Sequence, residues 1–268
     1  MVPHTPALRR QAGRCAALLL TLVVAGCDMH SRALQGHASD TWARSYTLRE
    51  GGELQVVGAV GTIDVQGGTG STIEVKAERR VRAANDGTAA SMVSRVRISE
   101  DVAPDKIVLR TEGLGGIIIG VEIEVDFQIT VPASTRLRLH AAGGDINITN
   151  VSGIVVASST NGGITAKSIG GGVDARSTNG NITFDLASVG KDAVDLRATN
   201  GNISLTVPAA ADANIEATCT NGAIDIADLP IELTGEQSRR RARGRLNGGG
   251  APVEATTTNG DIHIRPRS

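Results

Sequence analysis

Residues Ser177–Phe184 read STNGNITF. The phrase recurs as STNGGITA from Ser159, ATNGNISL from Ala198, CTNGAIDI from Cys219 and TTNGDIHI from Thr257. A catalytic loop is needed once; five copies point to architecture. Aligned on Asn161, Asn179, Asn200, Asn221 and Asn259, the copies lie 18, 21, 21 and 38 residues apart. Before each Asn, small or aliphatic residues fill alternate slots: Val155, Ala157 and Ser159 in the first copy, Val194, Leu196 and Ala198 in the third. After it the alternation resumes, as Ile164 and Ala166, or Ile182 and Phe184. A period of two on both sides of Asn-Gly predicts strands with one buried face.

Two weaker copies extend the series. LRLHAAGGDINI (Leu137–Ile148) and LQVVGAVGTIDV (Leu54–Val65) place aliphatic or small residues in the same slots. STIEVKA, RVRISE, KIVLRTE and VEIEVDFQITV alternate as strands too, and TAASMVSRV is the one helical candidate. Asn-Gly between alternating strands is also a hairpin signal, and parity does not separate the two readings. A period near 20 residues, a small residue just before each turn and corners able to stack favour an all-β, right-handed β-solenoid. A hairpin-rich β-sandwich is the alternative. In the solenoid each Asn amide would bond to the Asn of the next coil. Gly162, Gly180, Gly201, Gly222 and Gly260 would take a corner conformation closed to other residues.

The front of the chain carries an address. Arg9, Arg10 and Arg14 precede the apolar run Cys15–Gly26, which is of signal-peptide length. Val24-Ala25-Gly26-Cys27 resembles a bacterial lipobox. Residues 1–26 are thus expected to be a lipoprotein signal, Cys27 the lipid carrier and 27–46 a flexible tether, leaving 47–268 as the β-repeat domain. Asp28 resembles the retention signal of enteric inner-membrane lipoproteins, which favours the periplasmic side of the inner membrane over the outer membrane. Beyond Cys15 and Cys27 only Cys219 remains, so no intramolecular disulfide is available.

Lys plus Arg number 27 against 28 Asp plus Glu, so no overall field steers nucleic acid to the protein. Aromatic residues are 1% of the chain, and a core so poor in rings must be narrow and aliphatic. Repeats, TVPA strand ends at Thr130–Ala133 and Thr206–Ala209, and the closing GGGAPVEATTTNGDIHI resemble the DUF4097 family of bacterial adhesin-like β-strand-repeat proteins. The resemblance spans Gly51 to Arg265. It implies a β-helix-like domain at the cell envelope and brings no catalytic residues with it.

No chemistry-bearing motif stands out. The histidines are isolated, without metal-ligand spacing, and no metal or cofactor is expected. Glu112–Gly120 (EGLGGIIIG) fails the dinucleotide and P-loop patterns; it is expected to lead into a buried strand. GGDINITN lacks the calcium nonapeptide pattern. Two surface features remain. In a solenoid Asp174, Asp195, Glu216 and Glu254 would stack as an acidic stripe beside Arg176 and Arg197, able to meet a cation or a polyhydroxylated ligand. Arg239, Arg240, Arg241, Arg243 and Arg245 form a basic loop suited to anionic lipid headgroups or acidic glycans.

These readings converge on a non-catalytic envelope lipoprotein that presents a β-solenoid to a protein or glycan. An inner-membrane envelope-stress or signalling accessory is the alternative. A β-helix polysaccharide enzyme is disfavoured by the scarcity of aromatic platforms.

Overall fold

In a computed structural model, residues 34–112, 120–235 and 238–267 are described. The signal, Cys27, Asp28 and Ile117–Ile119 lie outside the described residues. The chain opens with β1 (Gly36–Thr47), β2 (Glu53–Val60), β3 (Ile63–Gly68) and β4 (Thr72–Ala83). Helix α1 (Asp86–Val93), β5 (Arg97–Ala103), β6 (Lys106–Glu112) and β7 (Val121–Pro132) follow. Then come the short repeats: β8 (Arg136–Gly143), β9 (Ile146–Thr149), β10 (Val155–Asn161), β11 (Ile164–Ile169), β12 (Val173–Asn179), β13 (Ile182–Leu186), β14 (Val194–Asn200) and β15 (Ile203–Val207). The last stretch holds β16 (Ala213–Asn221), β17 (Ile224–Ile226), β18 (Ile231–Leu233), β19 (Arg241–Leu246), β20 (Ala251–Asn259) and β21 (Ile262–Pro266).

The strands form two facing sheets, ordered β1-β4-β7-β3-β9-β11-β13-β15-β21-β17 and β18-β19-β16-β20-β14-β12-β10-β8-β2-β6-β5. Here they are called the first and second sheet. Each coil runs up one strand of the second sheet, turns at the Asn-Gly corner and enters the first. Pairing between coils is parallel and in register, as Asn161↔Asn179↔Asn200 shows. A two-residue hairpin would have paired the strands flanking each corner antiparallel, so the structure is a β-solenoid and not a sandwich of hairpins.

The coils do not stack in chain order. Asn200 pairs with Asn259, and Asn259 with Asn221. The last coil in sequence, β20–β21, is therefore threaded between β14–β15 and β16–β17. At the other end β6 and β7 lie outside β2 and β3. Antiparallel strands flank both ends: β5, β4 and β1 at one, and β19 and β18 on the second sheet at the other, where the first sheet ends in β17.

The corners carry the ladder. Asn179 Nδ2 donates to Asn161 Oδ1 at 3.0 Å and Asn200 to Asn179 at 2.9 Å. Asn259 donates to Asn200, and Asn221 to Asn259, both at 2.8 Å. Three of the five corner glycines have the expected positive φ, +159° at Gly162, +153° at Gly222 and +152° at Gly260, and all five meet a second constraint. Gly180 and Gly201 do not have positive φ. A Cβ on Gly180 would instead lie 2.1 Å from Gly162 O, and one on Gly201 2.1 Å from Gly180 O. Close approach of the neighbouring coil demands glycine there. The small residue before the corner is explained as well: the Ser159, Ser177 and Thr257 hydroxyls donate to Gly144 O, Gly162 O and Gly201 O. A second ladder runs two positions past the Asn, with Asn202 N donating to Asn181 Oδ1 and Asp261 N to Asn202 Oδ1, both at 2.8 Å.

Between the sheets lies a thin layer of Val, Ile, Leu and Ala with Phe127 and Phe184 fully buried. Cys219 is buried and free. The tether reading of residues 27–46 fails for its second half: Gly36–Thr47 is a twelve-residue strand on β4. Its alternation was hidden because Asp40 and Arg44 occupy inward slots between Ala38, Trp42 and Tyr46. Asp40 is satisfied there by both arms of Arg79, at 2.6 and 2.7 Å. Arg44 sits 5.1 Å over the Trp42 ring and 3.4 Å from Glu100. Inward charges on an edge strand discourage pairing with other chains. Helix α1 begins at Asn85, whose Oδ1 accepts from Thr88 N at 2.8 Å.

Candidate functional site

Because the core face of every coil is filled, function must lie on the outward faces. On the second sheet the predicted stripe is present, in a new order. Asp174 pairs with Asp195, Asp195 with Glu254 and Glu254 with Glu216, so Glu254 separates Asp195 from Glu216. Arg176 and Arg197 stack alongside. Arg197 lies 2.7 Å from Asp195 and 3.9 Å from Glu254, and Arg176 2.5 Å from Asp174 and 4.0 Å from Asp195. Burial pushes the Asp195 carboxyl above its ordinary value; Arg197 and Arg176 oppose this, while Asp174 and Glu254 add to it. Its Oδ1 is buried and lacks a hydrogen-bond partner among the described residues. These arginines compensate the stripe internally, as an ion ladder does. Among the described residues no group of three His, Cys, Asp or Glu is placed to hold a metal ion.

The basic segment is not a loop throughout. Arg241, Arg243 and Arg245 point outward from β19, alternating with inward Ala242, Gly244 and Leu246. Arg243 is paired with Glu216, and Arg245 lies 3.0 Å from Glu232. Arg239 and Arg240 lie in the turn before β19, which begins at Ser238. The alternation of Arg with Ala and Gly was the signal for this strand, masked by the run of three arginines that precedes it.

The outward face of the first sheet holds a feature that sequence reading missed. Strands β1, β4, β7, β3 and β9 form a concavity of about 910 Å³. Thr41, Ser45, Gln66, Gln128, Thr130 and Thr149 line it, with Asp64, Glu74, Lys76 and Asn147 among them. Asn147 Nδ2 donates to Asp64 Oδ1 at 2.8 Å. The hydroxyls and amides offer both donors and acceptors. No sequence motif marks this set, because it draws two residues from each of five strands spread between Gly36 and Thr149.

Two parallel-stacked sheets joined at Asn-Gly corners define a β-solenoid class, and comparison with known proteins makes this specific. Residues 122–265 match the family described as Toastrack DUF4097, and the chain belongs to that family. A solved candidate cell adhesion protein from Clostridium sporogenes ATCC 15579 is similar in fold, with a TM-score of 0.55 and 14% identity. The match covers 86% of this chain and 100% of that one. A candidate adhesin from Bacteroides fragilis NCTC 9343 aligns with a TM-score of 0.41 and 12% identity, over 85% of this chain and 97% of that one. No curated protein matches the chain.

Proposed function

We propose that this protein is a non-catalytic lipoprotein of the bacterial cell envelope whose β-solenoid binds a glycan or protein on its outward face. The concavity of the first sheet carries this reading. Most of its polar lining groups are hydroxyls and amides, which hydrogen-bond at neutral pH and do not transfer protons there. They stand on paired strands, four of the five flanked on both sides, so little ordering cost is left to binding. Similar solved structures described as candidate adhesion proteins agree with this use. In this reading Cys27 carries the lipid, and Asp28 holds the protein at the inner membrane facing the periplasm, where it would contact envelope partners.

The test has two parts. Cells are labelled with a palmitate analogue, fractionated and treated with protease, and the purified protein is screened on glycan and envelope-protein arrays. Lipid labelling, inner-membrane recovery and a binder lost in Gln128→Ala/Thr130→Ala would support the proposal. A protein without lipid, or a binder indifferent to those two substitutions, would overturn the corresponding half.

A further inference from the structure

The Ser238–Arg241 turn is built into the end of the solenoid by its backbone. Inside the array each corner Ile donates its N–H to the neighbouring coil, as Ile164 does to Asn181 O and Ile182 to Asn202 O, both at 2.9 Å. The end coil of the stack, β16–β17, has no further coil beyond it among the described residues, and β19 runs antiparallel along β16 instead. There Ile224 N donates to Arg239 O and Cys219 N to Arg240 O, again both at 2.9 Å. The turn is closed on itself by Ser238 N to Arg241 O at 2.9 Å and by Arg240 N to Ser238 Oγ at 3.2 Å. Its carbonyls thus take the place of a further coil. At positions 239 and 240 that structural task uses main-chain atoms alone and would be met by any residue able to adopt the turn.

The side chains are left over from it. Arg240 and Arg241 line a concavity of about 470 Å³ together with Thr218, Cys219 and Ser238. Burial raises the Cys219 thiol pKa and the nearby Arg240 charge opposes it. Arg243, on the rim, is committed to Glu216. Among the described residues neither Arg240 nor Arg241 makes an ion pair. Arg240 and Arg241 bring two like charges to one concavity, and an anion there would be attracted to both. Guanidinium forks match a tetrahedral oxyanion with oxygens to share between them.

We propose that this turn is a site for a phosphate-bearing anion, gripped by Arg240 and Arg241 with the Ser238 and Thr218 hydroxyls beside them. The site is on the far end of the second sheet from the concavity on the first, and it stands or falls independently of that reading. The phosphate could be that of an anionic lipid headgroup or a free phosphate.

The test titrates inorganic phosphate into the full-length protein at low salt, followed by calorimetry or NMR. Wild type is expected to bind in the millimolar range, and Arg240→Gln/Arg241→Gln about tenfold or more weaker, a change equal to about 1.4 kcal/mol. The turn is held through carbonyls, so the variant should melt where wild type does. Arg240→Lys/Arg241→Lys keeps the charge and loses the fork, and is expected to fall between the two. A second arm uses short-chain phosphatidylglycerol monomers, with phosphatidylcholine of equal chain length as the control. Tighter binding of the glycerol lipid than of phosphate supports the headgroup source, and equal binding supports free phosphate. Equal phosphate affinity in wild type and the Gln variant would overturn the site. So would stronger binding of polygalacturonate, which carries carboxylates and no phosphate.

Discussion

Replacing Asn200 with alanine removes two rungs of the corner ladder: its own bond to Asn179 Oδ1 at 2.9 Å and the bond it accepts from Asn259 at 2.8 Å. Asn221, at the end of the stack, takes part in one, its donation to Asn259 Oδ1. The backbone bonds of the corner, such as Gly201 N to Asn259 O at 2.9 Å, survive in both variants. A protein hydrogen bond contributes about 0.5–1.5 kcal/mol net, and these amides are exposed to water, which favours the lower half of that range. Asn200→Ala should therefore cost about 1–2 kcal/mol and Asn221→Ala about half as much. For a domain of this size that is a fall in Tm of about 2–8 °C for the interior rung. Scanning calorimetry and urea unfolding read both values. The sharper measurement is a double-mutant cycle. Asn179 and Asn200 share one bond, so their double alanine variant loses three bonds and not four. Coupling of about 0.5–1 kcal/mol is expected. Zero coupling, or equal costs at Asn200 and Asn221, would show that the ladder is a consequence of the stack and no part of its stability.

Gly201→Ala should cost about 3 kcal/mol or more, because its Cβ would meet Gly180 O at 2.1 Å and the adjoining strands are paired on both sides. Gly190→Ala, with nothing within 4 Å of the added carbon, should change stability by less than about 1 kcal/mol; equal losses would refute the close-approach argument. For Asp195, a folded-state pKa above the ordinary 3.8 means that the folded protein holds this proton more tightly than the unfolded chain. The stability from this group is thus full below the unfolded value and is lost as pH rises through the raised folded one. Carboxyl NMR should find its midpoint above the ordinary value, and Asp195→Asn should abolish that part of the pH dependence; a midpoint at or below 3.8 would refute the burial argument.

The solenoid could be read from sequence because each coil repeats one local decision. Alternation fixed which side chains of Val173–Ser177 face inward, and the shared Asn-Gly fixed the corner. Elements outside the repeat were harder. The strand Gly36–Thr47 carries its inward charges in salt bridges to partners such as Arg79, far away in the chain, and no local pattern reveals that. The polar concavity was invisible for the same reason: Thr41, Gln66, Gln128 and Thr149 meet only through the order of strands in the sheet. In the acidic stripe the members were legible and their sequence of contacts was not. Val194-Asp195-Leu196 can face Val253-Glu254-Ala255 or Ile215-Glu216-Ala217 with nearly the same chemistry, so pairing preference alone does not choose between them.

What chooses is the connection. Residues 247–250 cross the start of β16, so that β19 lies on one side of it and β20 on the other. Asn247 Nδ2 donates to Ala209 O at 3.0 Å and Ala211 O at 2.7 Å, and Gly248 N to Asp212 Oδ1 at 3.1 Å. Gly249 has φ of +73°, and a Cβ on Gly250 would lie 2.4 Å from Asp212 O. The run Asn-Gly-Gly-Gly is therefore a strap shaped for this crossing. Once it is laid, β20 has to enter between β14 and β16, and β19 has to run antiparallel along the outer edge of β16. An antiparallel strand offers no parallel edge in register for another coil, and its outward arginines and the three-residue β18 discourage pairing with a second chain. The insertion out of chain order and the termination of the array are thus one structural event. Arg243 and Arg245 take part in it through their pairs with Glu216 and Glu232, while Arg239, Arg240 and Arg241 make no ion pair among the described residues.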